Sequence, residues 1–176
     1  MKATINATPV IRRRIMCLAL SLMAMAALAL RSQAAQVDKE VPFRAAFTTV
    51  FESDGMLPIA HIRVIGEGQG THLGKATTFT TDQEVNLITG QSTATYTFTA
   101  ANGDTVVLEE EFLSTVDPIS GRVMFEGTYT VTEGTGRFAG ATGSGTLIGS
   151  AAFTGPSNGV GSFTVAGTIS SPGSLK

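Results

Sequence analysis

From Gln91 to Ala100 the chain alternates without a break: Tyr96 and Phe98 fall on one side, and Thr95, Thr97 and Thr99 on the other. A period of two is the pattern of a half-buried strand. Ala101-Asn102-Gly103-Asp104 follows. Asn-Gly beside such a run is a strong hairpin signal and predicts a two-residue turn with positive φ. Asp104 to Ser114 then pairs back. Few runs elsewhere have helical spacing, and this hairpin sets a pattern that the other strands repeat.

Val41 to Glu52 opens the series, with Phe43, Ala45, Phe47, Thr49 and Phe51 on one face. Ser53-Asp54-Gly55 turns the chain, and Pro58 bars an early restart. Ile59 to Glu67 is the second strand, and Gly66, Gly68 and Gly70 are expected to break it. Thr71 to Leu87 is a third, rather polar strand, ended by Thr89-Gly90. Beyond the central hairpin, Asp117-Pro118 and Ser120-Gly121 mark a turn. Val123 to Thr132 then aligns Phe125, Gly127, Tyr129 and Val131. Ser144 to Thr154 and Val160 to Ser170 complete the set, with Gly155 to Gly159 between them. About eight short strands with turn chemistry between them predict an all-β, single-domain antiparallel meander. Closure into an eight-stranded barrel removes the edge strands that would otherwise pair with other chains.

The stretch from Gly134 to Gly143, GTGRFAGATG, holds four glycines and one aromatic, Phe138. Glycine allows sharp bends and close backbone approach. A bent connection anchored by a buried Phe138 is therefore expected. The spacing misses the dinucleotide fingerprint, and no helix pattern follows to bind a phosphate. Flanked by the runs Phe125–Glu133 and Ser144–Gly149, this segment resembles the glycine-rich segment of dirigent proteins and, more loosely, that of allene oxide cyclases. The resemblance covers about twenty of the 176 residues. It implies a calycin-like barrel, and a cavity that steers cyclisation or coupling of a reactive small molecule. It maps no catalytic residue onto this chain.

Arg12, Arg13 and Arg14 precede an apolar run of 16 residues, Ile15 to Leu30, and Ser32-Gln33-Ala34 supplies small residues for cleavage. Residues 1–34 thus have the form of a secretory signal, which places the mature protein outside the cytoplasm, secreted or periplasmic. Residues 35–176 are left as one β-barrel domain. Five of the 12 basic residues precede residue 35 and none of the 14 acidic ones does, leaving 7 against 14 and a formal charge of −7. That balance argues against nucleic acid or an anionic membrane surface as partner of the mature chain. The single cysteine, Cys17, leaves with the signal, so neither disulfide nor thiol chemistry is expected.

Few residues are suited to chemistry. His61 and His72 stand apart in sequence, no cluster has zinc spacing, and no nucleophile elbow is present, so neither metal nor cofactor is expected. Asp82 and Glu84 read as a solvated strand face. Glu110 differs. It shares parity with Val106, Leu108 and Phe112, while Glu109 and Glu111 take the other face. A carboxylate facing an apolar interior has a raised pKa and can act as an acid or anchor a ligand; a strand end in water is the bland alternative. His61 and Arg63 share the face opposite Ile62 and Val64, and only an inward register would let Arg63 partner Glu110 or an anionic ligand. Tyr96 and Tyr129 sit among apolar residues, with hydroxyls suited to a rim.

Two function classes follow: a non-catalytic binder of a small apolar ligand or interaction module, and the cyclase- or dirigent-like role that the resemblance implies. Glu110, Tyr96, Tyr129 and Arg63 are the candidate ligand-binding residues, and a homo-oligomer is left open. The export expectation is directly checkable. N-terminal sequencing of protein recovered outside the cytoplasm should begin near Ala35 or Gln36; an intact Met1 would overturn it.

Overall fold

The computed structural model describes residues 39–170, so the expected signal segment and its cleavage point lie outside the described residues. The strands are β1 (Glu40–Ser53), β2 (Ile59–Gly70), β3 (Gly74–Asn86), β4 (Gln91–Thr99), β5 (Thr105–Val116), β6 (Val123–Gly134), β7 (Gly143–Phe153) and β8 (Asn158–Ser170). Each pairs antiparallel with the next, and β8 returns to pair with β1, closing the barrel. The protein is all-β, with a closed eight-stranded antiparallel barrel as expected.

Closure converts the two-residue period of each strand into an inside and an outside. Phe43, Phe47 and Phe51 of β1 point inward, as do Tyr96 and Phe98 of β4, Val106 and Leu108 of β5, and Phe163 and Val165 of β8. Phe47, Phe98 and Phe163 form a triangle of contacting rings, with Phe47 4.6 Å from Phe98 and 5.3 Å from Phe163 between ring centroids. Each such side chain contributes roughly 1.5–3 kcal/mol by leaving water.

Because the strands simply meander, successive connections alternate between the two ends. One end is plugged. The β2–β3 and β4–β5 connections meet there, with the Ala101 N–H donating to the Leu73 carbonyl at 3.1 Å. The β6–β7 corner joins them, with the Thr135 N–H donating to the Thr105 carbonyl at 2.9 Å. Leu73 and Phe138 are fully buried beneath these turns. Arg137 lies 5.1 Å over the Phe138 ring and brings its Nε to 3.5 Å from Asp104 Oδ2, tying the corner to the hairpin.

Two local expectations need revision and a third is met. First, β2 runs through its glycines instead of breaking at them. Gly66, Gly68 and Gly70 continue the inward row of Ile62 and Val64. A Cβ on Gly68 would stand 2.7 Å from Phe47 Cδ1, so the bare backbone makes room for a phenylalanine of β1. The turn comes later, at Thr71–Leu73, where His72 takes a φ of 62°, and β3 starts only at Gly74. Second, the β4–β5 loop holds three residues. The Gly103 N–H donates to the Ala100 carbonyl at 2.9 Å, and the Ala100 N–H donates to the Asp104 carbonyl at 2.8 Å. Gly103 alone in the loop has positive φ, 89°. A turn followed by one left-handed glycine is the usual three-residue solution. Asn102 instead donates Nδ2–H to Asp104 Oδ2 at 2.7 Å. Third, the glycine-rich connection contains a single 3-10 turn, Gly136–Phe138, that delivers Phe138 into the core.

Phe138 is 0 % exposed, so Phe138→Ala should cost roughly 3–5 kcal/mol through lost burial and a residual cavity. Urea denaturation measures it. Wild-type stability in this variant would mean that the segment is not the plug of the barrel.

Candidate functional site: a cavity at the open end

The other end of the barrel carries the connections at residues 54–58, 87–90, 117–122 and 154–157. They brace one another: the Ser53 N–H donates to the Ser157 carbonyl at 2.7 Å, and the Leu87 N–H to the Pro58 carbonyl at 2.9 Å. Within this ring lies a cavity of about 350 Å³. Phe51 of β1, Ile62 and Val64 of β2, Val85 of β3 and Phe112 of β5 form its walls. Tyr96 and Phe163, ring centroids 5.3 Å apart, lie at its inner end. Leu87, Ile88, Val116 and Phe153 line the mouth yet remain exposed to solvent, which gives the entrance an apolar lip.

Glu110 reaches this cavity from β5 because β5 keeps a strict alternation: Val106, Leu108, Glu110 and Phe112 are buried and Glu109 and Glu111 exposed. The Glu110 residue is 2 % exposed. Its Oε1 has no hydrogen-bond partner among the described residues. Burial pushes its carboxyl from an ordinary 4.5 up to about 8. In the neutral form it carries one O–H donor together with acceptor capacity.

Tyr96 also lines the cavity, from β4, and donates its hydroxyl to Gln83 Oε1 at 3.0 Å. Burial, and after it the charge of Glu110, push this phenol well above its usual range. Tyr129 stands directly opposite Glu110 in the β5–β6 ladder, so both side chains share the inner face. It lies outside the cavity lining. Its ring packs edge-on to Phe43 at 6.2 Å, and a side chain on Gly145 or Gly167 would run into it. Burial, then Glu110, raise the Tyr129 phenol to about 12.

Glu110 and Tyr96 are thus brought together in one cavity, with Tyr129 beside them and below. Arg63 is not: its side chain is exposed on the outer face of β2, the parity opposite to Ile62 and Val64, and it makes no approach to Glu110. Gln83 was missed. The signal was present, since Asp82 and Glu84 facing out forces Gln83 and Val85 in. A second arrangement was also invisible in sequence. Antiparallel pairing sets His61 across from Glu84, with Nδ1 3.8 Å from Oε1, and Asp82 joins them on the outer face. All three are exposed, so this cluster belongs to the solvated surface.

The sequence matches no protein-family model, no curated protein matches it, and no solved structure matches the barrel. What defines the molecule is therefore its own geometry: a closed antiparallel barrel, plugged at one end, with an apolar cavity and one buried acid at the other.

The buried acid makes stability depend on pH in a definite direction. The folded state holds a proton up to about 8 that the unfolded state releases near 4.5. Stability is therefore full below the lower value and falls by about 1.4 kcal/mol per pH unit between the two. Glu110→Gln should abolish that slope. Denaturation midpoints of wild type and variant, followed from pH 4 to 9, should diverge as pH rises, the variant being the more stable. Parallel curves would mean that the carboxyl is not held neutral in the core.

Proposed function

We propose that the protein is a barrel that binds a small, mostly apolar ligand in its open-end cavity. The observation that carries this is the cavity itself: about 350 Å³, apolar on its walls and lip, with a few convergent polar groups inside. Ligand pockets of roughly 300–1,000 Å³ have this build. Barrel mouths are common places for them. A calycin-like assignment and an exported, extracytoplasmic setting fit the same picture, the first through the glycine-rich segment and the second through the arginine-led apolar run.

A second activity, steering a reactive ligand in the manner of a cyclase or dirigent protein, draws support from Glu110. A neutral acid in an apolar cavity can lend a proton to a bound molecule, and orientation by the walls can supply much of a rate. The segment that carries the family resemblance does not bear on it. Gly134–Gly143 sits at the plugged end and lines no part of the cavity. Ligand recovered unchanged after long incubation supports plain binding; a rearranged product supports the second activity.

Cavity binding is tested by filling the cavity. Ala151 lines it and is partly buried. Titration with an uncharged environment-sensitive naphthalene dye should show saturable binding at one site, read against a chain without tryptophan. Ala151→Phe should weaken that binding at least about tenfold while the protein stays folded. Equal binding by both proteins would place the dye elsewhere and remove this function.

A further inference from the structure

We propose that the cavity selects uncharged apolar ligands bearing a single hydrogen-bond acceptor, a ketone, aldehyde or ether oxygen, which the Glu110 carboxyl engages as donor, so that uptake and release follow the protonation of this one residue. The inference rests on cavity binding as proposed above and gives it a ligand class and a control.

The geometry favours a neutral acceptor over the other head groups. Glu110 lines the cavity, and its buried Oε1 has no hydrogen-bond partner among the described residues. A buried polar atom left without a partner is costly, and an incoming ligand oxygen removes that cost. The groups that face Glu110 are few. Tyr96 comes from β4, Tyr129 from β6, and Gln83 from β3, already engaged with Tyr96. On the inner face β1 contributes phenylalanines and Thr49, β2 aliphatic residues and glycines, and β7 and β8 no ionisable group. Among the described residues, Lys39, Arg44, Arg63, Lys75 and Arg122 are all exposed, and Arg137 is held at the plugged end by Asp104.

An anionic head would therefore meet no cation inside and a second carboxyl group. A cationic amine would pair with ionised Glu110, but both charges would leave water. Such a pair is stable only when its remaining N–H groups also find acceptors. The apolar walls supply few. A neutral acceptor asks for nothing beyond the proton that burial already keeps on Glu110, whose carboxyl titrates near 8. Tyr96 and Tyr129 stay protonated to higher pH, so they add no second switch below that range.

The sign follows from linkage. The protonated carboxyl is the donor, so affinity for the acceptor is full below the midpoint of Glu110 and is lost above it. Three naphthalene probes of similar shape separate the cases: 2-acetylnaphthalene, 2-isopropylnaphthalene and 2-naphthylmethylamine. At pH 6 the ketone should bind wild type about tenfold more tightly than the hydrocarbon, the worth of one well-made buried hydrogen bond. That advantage should disappear between pH 7 and 10. In Glu110→Gln, which keeps an N–H donor and cannot ionise, the advantage should persist across the range. In Glu110→Leu it should be absent at every pH while the hydrocarbon still binds. Should Glu110→Leu fail to fold, the wild-type pH series and Glu110→Gln decide alone. Hydrocarbon and ketone binding equally at pH 6, or a ketone advantage unchanged to pH 10, would overturn the ligand class while leaving cavity binding intact. Amine binding tighter than the ketone and rising with pH would also overturn it, in favour of a cation site. If none of the probes binds, cavity binding itself falls, and this inference with it.

Discussion

The ladder between β1 and β8, from Glu40 opposite Ser170 to Glu52 opposite Asn158, holds everything inside the barrel in place. Without it the sheet would end in two long edges, each a row of unpaired backbone donors and acceptors. It would also part Phe47 from Phe163, whose rings stack across this seam. With it, the backbone of every strand is paired on both sides, and the parity of each residue becomes a statement about inside or outside. The seam joins the first and last strands of the domain, so the core is completed only when the whole domain has folded.

Parity under closure explains both what the chain reveals in sequence and what it hides. Glu110 could be placed inside because three apolar residues of the same strand share its side, and the register shift against β6 at Val107 and Leu108 leaves the alternation of β5 itself intact. Phe138 could be placed as an anchor because it is the only aromatic in a run of small residues. The glycines of β2 could not be read this way. A glycine has no hydropathy to assign it to a face, and the role of each depends on β1 closing over it, with Phe47 filling the space above Gly68. The same holds for the meeting of His61, Asp82 and Glu84. Register shifts lie in both ladders near them, between His61 and Ile65 and between Thr80 and Asp82, and such shifts are not marked in sequence. The hairpin loop differs again. Asn-Gly identified the place, but Asp104 is also claimed by Arg137 from a distant connection, and that contact accompanies three residues in the loop where local preference favours two.

The two ends of the barrel divide the work. At the plugged end, buried side chains and cross-connection hydrogen bonds hold three turns together. At the open end, apolar residues that a folded core would normally cover are left at the mouth, with Ile88 76 % exposed. The contrast matters because a cavity reduces the packing that stabilises its walls. A barrel that keeps one end hollow depends the more on the other, which is why the glycine-rich segment belongs to stability, while recognition is the role proposed for the cavity.

Glu110 ties these two properties to one proton. In the empty barrel its burial costs stability wherever the unfolded chain would ionise, that is, above the ordinary carboxylate range. A ligand that accepts a hydrogen bond from the neutral carboxyl binds only the protonated form, and so raises the pH at which that form persists. The proposed binding and folding would therefore draw on the same ionisation, and by linkage each would respond to what alters the other. An apolar residue at position 110 would give a sturdier barrel above pH 5, but one whose cavity distinguished ligands by shape alone. The position of the acid is what adds a chemical criterion. It stands on the inner face of a regular strand, held by paired backbone on both sides and directly across from Tyr129, so the donor is fixed before any ligand arrives.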